Sequence, residues 1–479
     1  MNLRSQIMRG GVYLVGRQMI SMVIGFAGML ILTRQLGPGP FGLSTGSMQL
    51  YNYLSLLGQC GLATYLVRSQ SENIDNESHQ AFSLLLVLGL TLGTVAVMAA
   101  PIWEHCSKME GVTLIAITIF AALPLDLISA VPLARLERAM RFDQVAMVEL
   151  AAQIGYQVAA ISLAFLGAGA WALVAGFWAM VLAKTITLFA VTRYRPLWVW
   201  DRVLIRDMLR FGVGFSTANW IWQARMLVNP LLVGRVWGNE AVGCVSLAIR
   251  LVEIMSYAMT AGWRLAVASF ARLQQDKERL TKALVEGMRL QVIVVGLMLA
   301  GTAVIAPWLL PVVGKRWEPA MALYPFLAFG ALTSAMFSLQ CAALSVVKRN
   351  WEVALFNLAY QLLFLAGAGF LIPRWGVAGY GWAFFIVVPS HAVVHFFMVK
   401  YVGRPRYGNT LIWFLPLALV MFTHQLGWWC LLGLVLLLLR KATWTEIREM
   451  ALMFQTHMTN HLPPAPFSLD TDSKHRKLD

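Results

Sequence analysis

The chain has 479 residues, of which 59% are hydrophobic and only 13% charged, and its mean hydropathy is +0.66. That is too little polar side-chain material to cover a soluble globule, which excludes soluble enzymes and soluble binding modules. The formal net charge of +15 accompanies long apolar runs, so it points to the anionic face of a membrane and not to nucleic acid.

Most apolar runs are about 20 to 26 residues long, the length a helix needs to cross roughly 30 Å of hydrocarbon at 1.5 Å per residue. In chain order the expected spans are 10–33, 43–67, 81–103, 112–134, 144–166, 168–191, 211–233, 243–268, 289–313, 320–346, 352–373 and 377–400, then a tight pair at 410–424 and 427–440. The last two are short for full crossings. The fold class is therefore an all-α polytopic membrane protein with about 14 transmembrane helices, or 12 or 13 if that pair does not cross. The first run is too long for a cleavable signal peptide and lacks a small-residue cleavage site, so it is expected to remain. Residues 444–458, WTEIREMALMFQTHM, read as an amphipathic surface helix, and the Pro-containing charged end after them reads as disordered.

The 38 Lys and Arg residues set the orientation. With a cytoplasmic N-terminus, 27 fall on the cytoplasmic side, 6 on the other (Arg34, Lys108, Arg235, Lys315, Arg316, Arg374) and 5 inside spans. That bias implies cytoplasmic N- and C-termini, with an even number of crossings.

Two stretches repeat. LTRQLGPGPFG (residues 32–42) and VGRVWGNEAVG (233–243) share Arg-x-x-Gly-x-x-x-x-Gly. A shift of 201 also pairs Arg9 with Arg210, Gly11 with Gly212 and Gly61 with Gly262, and a shift of 208 pairs RFDQVAMVELAAQ (141–153) with RNWEVALFNLAYQ (349–361). The chain thus reads as two pseudo-symmetric six-helix lobes, 1–200 and 201–402, a C-terminal helix pair, 403–441, and a cytoplasmic tail, 442–479. Six being even, the repeats are parallel, related by an axis along the membrane normal. Each shared stretch is an outer turn made by glycines, with Pro40 starting a helix where its missing N–H costs nothing.

Polar residues within spans outline a cavity between the lobes. Ser246, Arg250, Glu253, Tyr257, Thr260 and Arg264 follow helical spacing on the eighth span and share a stripe. Their counterparts in the first lobe include Thr45, Gln49, Asn52 and Gln59. Arg17 and Arg225 add cations on the first and seventh spans. Because a charge at the bilayer centre is costly, Arg17, Arg225, Arg250 and Arg264 are read as lining a cationic, water-filled cavity suited to a phosphate-bearing cargo. The plainer alternative pairs Arg250 with Glu253 one turn on, with the other arginines snorkelling. Gln49, Asn52, Gln59, Asn229 and Tyr257 are the candidates for hydrogen bonding to sugar hydroxyls. Glu149, Glu253 and Asp126 are the candidates for coupling to H+ or Na+, or for neutralising arginines; no other cofactor and no metal is expected. His391 and His395 lie four apart without an evident third ligand. The five cysteines have no metal spacing and read as buried fillers. RPLWVW (195–200) and LGWWC (426–430) read as interface anchors.

TRQLGPGPFGLSTGSMQLYNYLSLLGQCGLATYLVRS (33–69), ASFARLQQDKERL (268–280) and GKRWEPAMALYPFLAF (314–329) resemble the Wzx-type polysaccharide repeat-unit flippases of the multidrug, oligosaccharidyl-lipid and polysaccharide exporter superfamily, most closely the colanic-acid-exporter-like branch. The resemblance covers roughly residues 1–400 and departs at Pro38-Gly39-Pro40, where relatives more often carry an acidic residue. It implies flipping of an undecaprenyl-pyrophosphate-linked oligosaccharide, without enzyme chemistry, by alternating access powered by an ion gradient; no Walker-type loop is present. The implied partners are that lipid-linked cargo, membrane lipids, and a polymerase with its chain-length machinery, the flippase itself being a monomer. A lipid II flippase, a drug/cation antiporter and a membrane glycosyltransferase or polymerase stand as alternatives.

Overall fold

A computed structural model describes residues 3–69, 73–440 and 444; the expected tail helix and charged end lie outside the described residues. All regular structure among them is helical. Six passages come first: α1 (Leu3–Leu36); α2 (Pro38–Gln59) with α3 (Leu62–Arg68); α4 (Ile74–Met98) with α5 (Ala100–Ser107); α6 (Val112–Phe120) with α7 (Leu123–Arg138); α8 (Phe142–Phe165); and α9 (Ala170–Thr192). The next six run through α10 (Arg202–Gln223), α11 (Gly234–Met255), α12 (Tyr257–Leu273), α13 (Lys277–Val313), α14 (Glu318–Val346), α15 (Asn350–Ile386) and α16 (His391–Tyr401). The closing pair is α17 (Gly408–Met421), extended by α18 (Thr423–Leu426), and α19 (Leu431–Leu439). Apart from the breaks described next, the architecture is the one expected, an all-α polytopic membrane protein of two six-helix bundles and an added pair.

Several expected spans are broken, each for a local reason. In the fourth, Pro124 sits in the first turn of α7, where its ring ends the ladder arriving from α6. In the seventh, α10 gives way to a 3₁₀ turn, Ala224–Leu227, and a π turn, Asn229–Val233, around Pro230, which offers no N–H to the ladder. The eighth was expected as one helix with a continuous polar stripe. Instead α11 stops at Ser256, whose N–H still reaches the Val252 carbonyl at 2.8 Å, and α12 starts anew, so the stripe is divided.

The repeat is written into the backbone. Gly37 (φ 72°, ψ 172°) and Gly238 (φ 74°, ψ −168°) adopt the same left-handed, extended turn, which explains why both stretches place glycine there. Pro38, and not Pro40, is the first helical residue of α2, though both sit in the first turn where no N–H is needed. Met140 and Lys348, 208 residues apart, likewise share positive φ (54° and 63°) ahead of α8 and α15.

Candidate functional site

The two shared turns meet face to face. A β-carbon on Gly42 would lie 1.9 Å from the Asn239 carbonyl oxygen and 2.8 Å from the Gly243 nitrogen. One on Gly243 would lie 2.1 Å from the Pro38 carbonyl oxygen. The glycines therefore let α2 and α11 touch backbone to backbone across the pseudo-twofold axis. One turn further in, Thr45 donates to Ser246, its symmetry partner, at 3.1 Å. Asn229 donates to Ser246 at 3.0 Å and to Gln49 at 3.3 Å.

A second pair of contacts clasps this end, which sequence reading missed. The hairpin after α5 inserts Met109, fully buried, against Gly46 and Gly234. The hairpin after α13 inserts Trp317, whose indole N–H donates to the Thr33 carbonyl at 2.9 Å and whose ring meets Phe41 edge-on at 5.3 Å. Met109 and Trp317 are 208 residues apart, the offset of the second repeat match, so each bundle wedges the turn region of the other. Glu104 fastens the Met109 hairpin: it accepts from the N–H groups of Gly111 (3.1 Å) and Thr113 (2.9 Å) and from the Thr113 hydroxyl. The hydroxyl bond, foremost, and the two backbone bonds hold its carboxyl below the usual value.

Beyond the glycine contact lies a polar cavity of about 570 Å³, walled by α2, α7, α8 and α9 and by the end of α10 with its 3₁₀ turn. Asn52, Gln59, Asp126 and Glu149 are among its lining residues, whereas Arg225 and Arg250, expected in a cationic cavity between the lobes, are not. Asp126 is not an unpaired carboxylate: it accepts from Lys184 at 2.9 Å and from Ser55 at 2.6 Å. Lys184 was not singled out in the sequence, because a single lysine in an apolar helix has no spacing signal. Paired and hydrogen-bonded, the two charges satisfy the condition for burial that a lone ion would fail.

The other candidates divide. Gln49 and Asn229 belong to the closed hydrogen-bond cluster; Asn229 is fully buried and so does not face the cavity in this state. Arg250 pairs with Glu253 at 3.7 Å, with both side chains about half exposed, as the plainer alternative had it. Arg225, in the 3₁₀ turn, stacks over Trp222 at 4.5 Å, and Trp222 packs in turn on Tyr360. The side chains of Arg17, Tyr257, Thr260 and Arg264 lie outside the described ones. His391 and His395 have separate partners, the Val388 carbonyl and the Tyr407 hydroxyl, and no metal-holding group occurs among the described residues. All five cysteines are free, four of them buried.

Two helical bundles joined by a symmetric contact over an intramembrane polar cavity define a transporter-type membrane protein. The fold is similar to that of the lipid II flippase MurJ in an inward closed conformation (TM-score 0.69, 9% identity, 92% of this chain and 99% of that one). It is similar also to an inward-facing MATE family transporter of the MOP superfamily (TM-score 0.66, 14% identity, 82% and 98%). The chain belongs to the polysaccharide biosynthesis protein family, which matches residues 31–322. Among curated relatives, it is similar to the succinoglycan biosynthesis transport protein ExoT of Rhizobium meliloti (29% identity over 321 residues, 65% of this chain). The amylovoran biosynthesis protein AmsL of Erwinia amylovora is 25% identical over 279 residues, 57% of this chain and 71% of its own. The match spans 63% of the length of the succinoglycan protein.

Proposed function

We propose that this protein flips an undecaprenyl-pyrophosphate-linked oligosaccharide repeat unit across the bacterial inner membrane for exopolysaccharide or O-antigen synthesis. The lobes, 1–200 and 201–402, alternate access to the cavity, which lies within the first lobe against the end of α10 and its 3₁₀ turn, and both termini face the cytoplasm. The observation that carries the reading is the junction itself: two copies of one turn meet at a glycine contact above a polar cavity, in a chain of the polysaccharide biosynthesis family. Such a contact can open and reform as a unit, whereas a fixed pore needs no symmetric seal.

Within this reading Lys184 and the arginines 17, 225, 250 and 264 supply charge to the pyrophosphate, and Gln49, Asn52, Gln59, Asn229 and Tyr257 meet sugar hydroxyls as the seal opens. Glu149, Glu253 and Asp126 are the carboxylates available to H+ or Na+. The flippase works as a monomer beside a polymerase and its chain-length machinery. The likeness to the lipid II flippase is one of fold, while the relatives in sequence belong to polysaccharide pathways, which favours the repeat-unit cargo.

The test is export in a deletion strain complemented with variants. Arg250→Ala should cause lipid-linked repeat units to accumulate on the inner leaflet at normal protein levels, and Arg250→Lys should rescue part of the loss, keeping charge without the planar fork. Wild-type export by Arg250→Ala, together with Lys184→Ala and Arg225→Ala at normal levels, would refute the cationic-cavity mechanism.

A further inference from the structure

On the face richest in Lys and Arg, a second cleft of about 570 Å³ opens between the first turns of α13 and the linker from α16 to α17. It carries five cations, Lys277, Lys282, Arg289, Arg404 and Arg406, against two carboxylates, Glu278 and Glu286. Lys282 already holds Glu278 at 2.7 Å. Arg404 and Arg406 are exposed and make no ion pair among the described residues. Just before them the linker packs on α13: a β-carbon on Gly403 would lie 2.6 Å from the Thr281 hydroxyl.

Depth decides what such a cleft can hold. α13 has 37 residues, about 55 Å at 1.5 Å per residue, which exceeds a hydrocarbon core of roughly 30 Å. Its uncharged, mostly apolar part begins after Arg289, so the cleft lies at headgroup level. The side chains that follow on α17, Leu411, Ile412 and Leu415, are 38%, 40% and 57% exposed, an apolar track beginning two residues after Asn409 at the cleft wall.

We propose that the cleft seats the phosphate of an anionic phospholipid from the adjoining leaflet, with its acyl chains along α17, so that a lipid ties the added helix pair to α13. This is independent of what the central cavity carries, and it would stand if the flippase reading fell.

The test uses the full chain in nanodiscs of phosphatidylcholine with and without phosphatidylglycerol, reading retained phosphatidylglycerol by native mass spectrometry and the unfolding temperature. A surface cation is worth about fivefold in affinity for an anionic membrane, so Arg404→Gln with Arg406→Gln should lower retention by roughly thirty-fold. Its unfolding temperature in pure phosphatidylcholine should not change. Arg404→Lys with Arg406→Lys should retain most binding. Arg195→Gln with Arg202→Gln, exposed cations outside the cleft, should leave retention intact. Equal loss from that control pair would mean general surface charge and overturn the site. Retention unchanged in the Arg404/Arg406 glutamine pair would overturn it too. Displacement of phosphatidylglycerol by millimolar inorganic phosphate would identify a soluble-anion site and refute the lipid assignment.

Discussion

Gly42→Ala is the most incisive single change the geometry offers. Its methyl would sit 1.9 Å from a backbone oxygen that cannot rotate away, whereas ordinary contacts begin near 3.4 Å, so α2 and α11 must separate by about 1.5 Å at this point. Overpacking of this kind costs roughly 1–3 kcal/mol, and only the closed arrangement bears it. The ratio of open to closed seal should therefore rise about 5- to 150-fold. Gly46→Ala meets only the flexible end of Met109, at 3.0 Å, and should shift it less; Gly214→Ala meets nothing within 4 Å and should not shift it. The assay is labelling of a cysteine placed at Ser246, buried in the seal, by a membrane-impermeant maleimide in a chain otherwise free of cysteine. Rates should rank Gly42→Ala, then Gly46→Ala, then Gly214→Ala level with the parent. Equal labelling in all of them would refute the claim that the glycine contact closes the seal.

Trp317→Ala, which loses a buried ring and its bond to Thr33, should destabilise the closed state by about 3–5 kcal/mol, with Trp317→Phe in between; labelling at Ser246 reports both. Lys184→Ala strands Asp126 and should lower stability by about 3–5 kcal/mol, whereas Lys184→Met with Asp126→Leu should restore the unfolding temperature without restoring export. Glu104 has a lowered carboxyl pKa, so its grip on the Met109 hairpin is fully present above the usual carboxylate value of 4.5 and is lost as pH falls through the depressed one. Hydrogen-exchange protection factors at Gly111 and Thr113, taken against the intrinsic rate at each pH, should fall on acidification in the wild type, and be low and insensitive to acid in Glu104→Gln.

The bundles were legible because bilayer thickness fixes helix length and the repeat shows at two nearby offsets, 201 and 208. Gly37 and Gly238 were read correctly as turns, but Gly42 and Gly243, read with them, lie inside α2 and α11, and their backbone contact needs the third dimension. The stripe on the eighth span assumed an unbroken helix; the stop at Ser256 carries neither proline nor glycine and leaves no mark in the sequence. Lys184 and Asp126 lie 58 residues apart, and only the packing of α7 against α9 brings them together. Met109 and Trp317 sit at the 208 offset but differ in chemistry, so their equivalence is positional and escapes a search for matching residues.

Alternating access is tested most directly by a reversible lock on the seal. The hydroxyls of Thr45 and Ser246 are 3.1 Å apart, so cysteines at both positions, in a chain without other cysteines, are placed to form a disulfide between the lobes. Export of lipid-linked repeat units should stop on oxidation and return on reduction, with either single cysteine exporting under both conditions. Undiminished export by fully cross-linked protein would contradict the account, since cargo would then be crossing without the seal ever opening.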